Sequence, residues 1–211
     1  MDVYLIRHGE TQGNKEGYFR GRSDFPLNEN GIEQAKALAE ELKDVGIELI
    51  YTSPLSRAVK TAEILAEATG AKTIVEENFN NINLGPWEGR KKEEIKKLYP
   101  DLFELWVNYP EKLRLEGAET LEEVKKRSFK ALDRIVKECL EKGVSKIAIV
   151  THRAVLKPLI AAALDIKEPY FWKIHVDTAS YSILSHDGKR GYILKMLNQT
   201  KHLKSYVEEA Y

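Results

Sequence analysis

The sequence predicts an α/β fold of three layers, α/β/α, built around a mostly parallel sheet. Short apolar runs at residues 3–6, 47–52 and 146–150 alternate with longer stretches of helical periodicity, and each run stops at polar or glycine residues. No repeat, low-complexity tract or linker divides the 211 residues, so one domain over 1–211 is expected, with a helical cover at about 76–118. Strands that alternate with helices imply a sheet covered on both faces.

The first strand, residues 3–6, sets His8 just past its end. From Ile32, apolar positions Ala35, Leu38, Ala39, Leu42 and Val45 recur at helical spacing, and Gly46 marks the stop. Residues 47–52 read as the second strand. Ser53 as N-cap, with Pro54 at the first helical position, opens a helix to about Thr69 and puts Arg57 on its first turn. Residues 71–75 make a third strand, and two polar helical segments cover about 90–107 before a loop at 110–117. Thr120 and Glu123 form a capping-box pattern ahead of Leu121, Val124, Leu132, Ile135, Val136 and Cys139, marking a long helix to about Glu141 with Cys139 in the core. The strand at 146–150 ends at Thr151-His152, a helix follows over 154–164, and runs near 181–184 and 192–197 read as strands. The aromatic and basic group Tyr170, Phe171, Trp172, Lys173 and His175 reads first as core packing or ordinary surface, with a site border or a dimer face as the alternatives.

Thirty-three basic and thirty-three acidic residues cancel, so no global field favours nucleic acid or an anionic membrane, and any basic function must be local. The single cysteine cannot form an internal disulfide, and no charged-then-apolar leader or long apolar span is present; a cytoplasmic setting is the expectation. The residue six after Cys139 is Ser145, not the arginine a cysteine-phosphatase loop needs. No Gly-x-x-x-x-Gly-Lys stretch and no dense metal-ligand spacing occurs, so neither a P-loop nor a metal centre is expected.

In open α/β sheets ligands collect beyond the C-terminal strand ends, where His8, residues 53–57 and His152 all fall. A neutral imidazole can attack phosphorus directly if fixed donors neutralise the phosphoryl oxygens as charge redistributes. Arg7 and Arg57 supply planar forked donors, His152 one more hydrogen bond, and Asn14 a neutral donor. The leaving alkoxide needs a proton from an acid on the opposite side, and water then hydrolyses the phosphohistidine. A lone histidine or arginine at a strand end is more often structural than catalytic; the conjunction of Arg-His-Gly, Ser-Pro-Leu-x-Arg and Thr-His at three strand ends is what carries the reading.

These segments resemble the histidine phosphatase, or phosphoglycerate mutase-like, superfamily. Leu5-Ile6-Arg7-His8-Gly9-Glu10-Thr11 is similar to its signature, with Asn14 downstream and Asp24-Phe25-Pro26-Leu27 at the following turn. Tyr51-Thr52-Ser53-Pro54-Leu55-Ser56-Arg57-Ala58 with Thr61-Ala62, Gly85-Pro86-Trp87-Glu88-Gly89, Gly117-Ala118-Glu119-Thr120 and Val150-Thr151-His152 resemble its later segments, so the likeness spans nearly the whole chain. It implies His8 as nucleophile, Arg7, Arg57 and His152 around the phosphate, Asn14 as a further pocket residue, and no metal or other cofactor. Thr11, Arg20, Gly21 and Arg153 are candidates for substrate contact, Arg153 standing where small residues commonly follow the histidine.

One departure concerns the general acid, usually four residues before the glycine of the Gly-x-Trp-Glu-Gly segment. That position is Asn81, and an amide cannot supply the proton. Glu77, Glu88 or Glu10 substitutes, or the substrates carry better leaving groups, or the chain is a slow or non-hydrolytic relative. The short length favours a phosphatase over a phosphoglycerate mutase. Trp106-Val107-x-x-Pro110-x-Lys112, residues 116–120 and the late Asp177-x-Ala179-Ser180-Tyr181-Ser182 resemble metal-independent phosphoserine phosphatases, and α-ribazole phosphate phosphatases share much of the pattern. Residues 203–211 resemble a tail that closes over substrate, with His202 beside it, while His186 falls in the turn at 185–188. The expected ligand is a small phosphorylated metabolite, phosphoserine among the choices, and the resemblance leaves a homodimer open. The competing readings are a phospho-ligand-binding or regulatory subunit with little turnover, motivated by Asn81, and a mutase.

Overall fold

The computed structural model describes residues 1–205, 209 and 211. In chain order it contains β1 (Asp2–Arg7), α1 (Gln12–Lys15), β2 (Tyr18–Phe19), α2 (Glu29–Leu42), β3 (Leu49–Thr52), α3 (Ser56–Thr69) and β4 (Lys72–Val75). Then follow β5 (Arg90–Lys91), α4 (Lys92–Leu98), α5 (Pro100–Asn108), α6 (Leu121–Glu141), β6 (Lys146–Thr151), α7 (Arg153–Ala163), β7 (Tyr181–His186) and β8 (Tyr192–Gln199). The six-stranded sheet runs β4-β3-β6-β1-β7-β8. The four strands from β4 to β1 are mutually parallel, and β7 is antiparallel to both its neighbours. The mostly parallel sheet is as expected, with the antiparallel pairings confined to one side.

Strand pleat sorts the core into two layers, because successive side chains point to opposite faces. Tyr4 and Ile6 of β1, Ile50 of β3, and Ala148 and Val150 of β6 face Leu38, Leu42, Ala58, Ala62 and Leu65 of α2 and α3. Val3, Leu5, Tyr51, Ile147 and Ile149 belong to the opposite core with Leu132, Ile135, Val136, Cys139, Leu156 and Leu159 of α6 and α7. β1 and β6 are apolar on both faces, which is why they read as continuous apolar runs in the sequence.

The capping box forms as expected: the Glu123 backbone N–H donates to Thr120 Oγ1 at 3.1 Å and the Thr120 N–H to Glu123 Oε2 at 2.8 Å, an arrangement worth about 1 kcal/mol. The expected start of the Arg57 helix is corrected. α3 begins at Ser56, and Ser53 does not cap it; Asp24 does so from a distant loop, accepting from the Ser56 N–H at 3.0 Å and its hydroxyl at 2.7 Å. α2 likewise starts before Ile32, at Glu29, because Asn28 Oδ1 accepts from the Gly31 N–H. Among the described residues no helix is long and apolar enough to cross a membrane.

Candidate active site

The parallel strands deliver their C-terminal ends to one side of the sheet, and the adjacent order β3-β6-β1 brings the three motifs together. His8 follows β1, Ser53 follows β3, and His152 follows β6 as the N-cap residue of α7. The register is locked by backbone bonds, His8 N–H to Thr151 O at 3.0 Å and Ser53 N–H to Val150 O at 3.0 Å. The loop after His8 lies so close to the first turn of α2 that a Cβ at Gly9 would overlap the Gly31 carbonyl, and one at Gly31 would overlap the Glu10 carbonyl. Two glycines therefore face each other across this contact, and the Gly9 N–H also donates to Thr61 Oγ1 at 3.1 Å.

The His8 and His152 rings lie 5.1 Å apart between centroids, both buried. His8 Nδ1 is 2.6 Å from the Gly9 carbonyl. A carbonyl can only accept, so Nδ1 carries the proton and Nε2 keeps its lone pair. Burial, then the charges of Arg57, Arg7 and Arg20, hold the His8 imidazole well below the ordinary histidine range. The ring is thus neutral and nucleophilic at Nε2 at neutral pH. His152 is lowered in the same way by burial and Arg57, and its Nε2 sits 2.7 Å from Ser53 Oγ. Ser53, read from sequence as a cap, instead orients this imidazole.

Three further predicted residues join this cluster. Arg7 spends one terminal nitrogen on the Val176 carbonyl at 3.0 Å and the other on the Glu209 carboxylate. Asn14 accepts from the Thr11 N–H and hydroxyl through Oδ1, which turns Nδ2 outward to Glu209 Oε1 at 2.7 Å. Arg57 is fully buried and holds the neighbouring loop through the Ser23 and Gly21 carbonyls at 3.0 and 2.8 Å, while its Nε has no partner among the described residues. Arg20, Gly21 and Arg153 line the cleft that holds His8 and His152. Thr11 does not: its hydroxyl closes the capping box with Asn14, so it acts on the site through that amide.

Asn81 also lines the cleft, and its Nδ2 donates to the Gly21 carbonyl at 2.8 Å. That carbonyl is shared with Arg57, so Asn81 and Arg57 jointly pin the loop carrying Arg20. An ionised carboxylate has no proton to donate there. None of the three carboxylates expected to replace the acid reaches the cleft. Glu10 is turned away by Asn28 and Asn30, whose amides hold it at 2.8 and 3.2 Å. Glu88 accepts from the backbone N–H groups of Arg22 and Leu84 at 3.0 and 2.9 Å, and Glu77 is exposed in a single 3-10 turn at 77–79. Glu88 packs directly against Gly21 but lies behind the cleft lining rather than in it.

Two groups absent from the sequence reading are at the site. Glu209 is held by Arg7, by Asn14, by Arg20 at 3.1 Å and by Arg153 at 3.8 Å. Burial alone raises its carboxyl, but Arg7, Arg20 and Arg153 outweigh it and leave it well below the usual carboxylate range. The second is Lys92, the first residue of α4, which lines the cleft with His8 and Asn81. The tail expected over the substrate is described only at residues 203–205, 209 and 211; 206–208 and 210 lie outside the described residues. His202 does not reach the cleft, since its ring bonds the Ala179 carbonyl at 2.8 Å, and His186 accepts from the Gly188 N–H in the expected turn. The aromatic group is split: Phe171 is buried and lines the cleft, whereas Trp172 is partly exposed with Arg153 over its ring at 5.7 Å. Among the described residues no group of three or more His, Cys, Asp or Glu side chains is placed to hold a metal ion.

Comparison with known proteins points to one family. Residues 3–199 match the family model of the histidine phosphatase superfamily (branch 1). Phosphoserine phosphatase 1 of Hydrogenobacter thermophilus is 36% identical over 211 residues, covering 100% of this chain and 98% of the relative. The structure of Bacillus stearothermophilus YhfR superposes with a TM-score of 0.89 at 31% identity, over 96% of this chain and 99% of that one. The α-ribazole phosphatase from Shigella flexneri gives 0.84 at 29% identity, over 94% and 96%. With the motifs, the strand-end cluster and these likenesses in agreement, the chain belongs to the histidine phosphatase superfamily.

Proposed function

We propose that the chain hydrolyses small phosphomonoesters through a phosphohistidine on His8, without a metal. The observation that carries this is the Nδ1 contact to the Gly9 carbonyl, which leaves the Nε2 lone pair of a neutral, buried imidazole free among cations. In the proposed reaction Nε2 attacks phosphorus while Arg7, Arg57 and Asn14 take the phosphoryl oxygens. His152, oriented by Ser53, donates to the same group. The loop and helices between 76 and 118 are the proposed cover, contributing Ile82, Leu84, Lys92 and Trp106 to the wall. Phosphoserine is the first substrate to try, since it is named for a relative that matches over its whole length. The single unpaired thiol, Cys139, fits a cytoplasmic setting.

The test is phosphate release from p-nitrophenyl phosphate and phosphoserine, with and without a chelator, for the native chain beside His8→Ala. Chelator-insensitive release that vanishes in His8→Ala is expected. Asn81 favours one other reading, a phospho-ligand-binding subunit, which predicts phosphoserine binding without hydrolysis and a gain of activity in Asn81→Glu. A mutase predicts instead phosphoryl transfer between the carbons of a phosphoglycerate, dependent on a bisphosphate primer.

A further inference from the structure

Resting on that reading, the unanswered step is who protonates the leaving oxygen. The cleft around His8 is lined by no carboxylate among the described residues. Glu209, the one acidic side chain among the described residues that pairs with Arg7, Arg20 and Arg153, is held deprotonated by them and is an acceptor only. His152 is neutral, so the N–H it offers the phosphoryl group is a hydrogen-bond donor and not an acid; its Nε2 faces Ser53 and its Nδ1 has no partner among the described residues. The lining groups that remain with a proton to give are Tyr18, Arg20, Arg153 and Lys92.

Lys92 is fixed in place by the short sheet of β2 and β5. Phe19 pairs with Arg90 and Tyr18 with Lys91, and the Lys92 N–H donates to the Gly17 carbonyl at 3.0 Å. Lys91 stands over the Tyr18 ring at 5.6 Å, and Lys92 goes the other way, into the cleft. Among the described residues no Asp or Glu side chain forms an ion pair with its Nζ, which donates to a carboxyl oxygen of Tyr211, the last residue of the sequence. The charged groups facing it are Arg153 of α7, Arg20 beyond β2, Arg7 of β1 and, with opposite sign, Glu209.

We propose that Lys92 is the proton donor to the leaving group, in place of the carboxylic acid missing at Asn81. As His8 Nε2 forms the N–P bond, the P–O ester bond breaks; its electron pair stays on the leaving oxygen, which takes a proton from the Lys92 ammonium and departs as the alcohol. The neutral amine then takes a proton from water as that water attacks the phosphohistidine. The P–N bond breaks, its pair returns to Nε2, and inorganic phosphate leaves with the ammonium restored. A phosphoryl group on Arg7 and Asn14 uses the donors now holding Glu209, so substrate entry displaces that carboxylate, and the Tyr211 oxygen must leave Lys92 for its ammonium to reach the leaving oxygen. Burial, reinforced by Arg153 against the opposing Glu209, pushes the Lys92 ammonium down to about 8, where it is still charged at neutral pH yet acidic enough to donate. Arg153, at about 10, is a poorer acid, and Lys157, at about 7, lies over the Phe171 and Trp172 rings in a neighbouring cleft that His8 does not line.

The experiment measures kcat/KM against pH for p-nitrophenyl phosphate, phenyl phosphate and phosphoserine in the native chain, Lys92→Arg and Lys92→Met. A good leaving group needs little protonation, so loss of an acid is felt most by the poor ones. Both variants should lose on the order of a hundredfold or more on phenyl phosphate and phosphoserine, and at most about a tenth of that factor on p-nitrophenyl phosphate. The native alkaline limb near 8 should vanish in both. Lys92→Arg is decisive because it keeps the charge and removes the accessible proton. Native-like activity in Lys92→Arg, equal losses on all three esters, or an alkaline limb that survives in both variants would overturn the proposal. If the native chain hydrolyses none of them, or His8→Ala retains activity, it is the phosphohistidine reading that fails.

Discussion

The proposed phosphate cradle and the wall beside it are built by different means. The cradle rests on three adjacent parallel strands, with His8, Ser53 and His152 each placed within a residue or two of a strand end and locked by sheet-register bonds. The wall comes from a loop at Asn81, the two-residue pairing of β2 with β5 that sets Lys92, and a tail carboxylate at Glu209. On the proposed reading, phosphate recognition is rigid and the same for any ester. Proton supply and access are left to segments whose side chains can change without disturbing the sheet. A wall with an amide at Asn81 beside a cradle with His8, Arg7, Arg57 and His152 all in place is what such a division allows.

The largest expected effect is at the cradle's centre. His8→Ala should lower kcat on p-nitrophenyl phosphate by on the order of 10⁴-fold or more, since no other group in the cleft supplies the nucleophile. Arg7→Ala or Arg57→Ala should cost about 10²–10³-fold, mostly in kcat, and Arg57→Ala should also loosen the 21–23 loop it holds. Equal losses from Thr11→Ala, which lies outside the cleft, would break the division between cradle and support.

Those predictions rest on residues legible in the sequence, for a physical reason. A buried parallel strand must be apolar on both faces, so its end is conspicuous, and the polar residue that follows stands out. The continuous apolar runs of β1 and β6 and the Thr120 capping box were readable on the same ground, since each is settled within a few neighbouring residues. The start of α3 was not, because its cap is Asp24, thirty-odd positions away, and the misreading hid the real partner of Ser53. Lys92 sits in the run Arg90-Lys91-Lys92, which looks like an ordinary solvated helix start; only the pairing of β2 with β5 sorts one lysine inward. Glu209 lies in a tail with no periodicity to read, and Glu10, Glu77 and Glu88 drew attention by sequence proximity alone.

A smaller effect sharpens the comparison at the cradle's edge. Ser53→Ala strips His152 Nε2 of its partner and should cost about 1–3 kcal/mol of stability together with a lower kcat, read by thermal unfolding and steady-state kinetics. At the wall, Glu209→Gln should lower the KM and the inhibition constant of inorganic phosphate, because a charged competitor for Arg7, Arg20 and Asn14 becomes neutral. If the tail occupies those donors about nine-tenths of the time, the gain is about tenfold. An unchanged phosphate affinity would mean that the carboxylate does not compete there.

The pH dependence separates the two regions again. A histidine lowered by burial and neighbouring cations stays neutral as pH falls through the ordinary histidine range, so the His8 nucleophile should be lost only below it. An NMR titration of the imidazole resonances, assigned with His8→Ala, should place His8 well below the ordinary histidine range.

The most direct test of the central claim is to quench native enzyme during turnover of a labelled phosphomonoester and locate the acid-labile phosphoryl group by mass spectrometry. The phosphohistidine account predicts label on the peptide containing His8, formed and discharged at rates compatible with turnover. Sustained hydrolysis with no labelled intermediate on His8, or label that persists in His8→Ala, would contradict it.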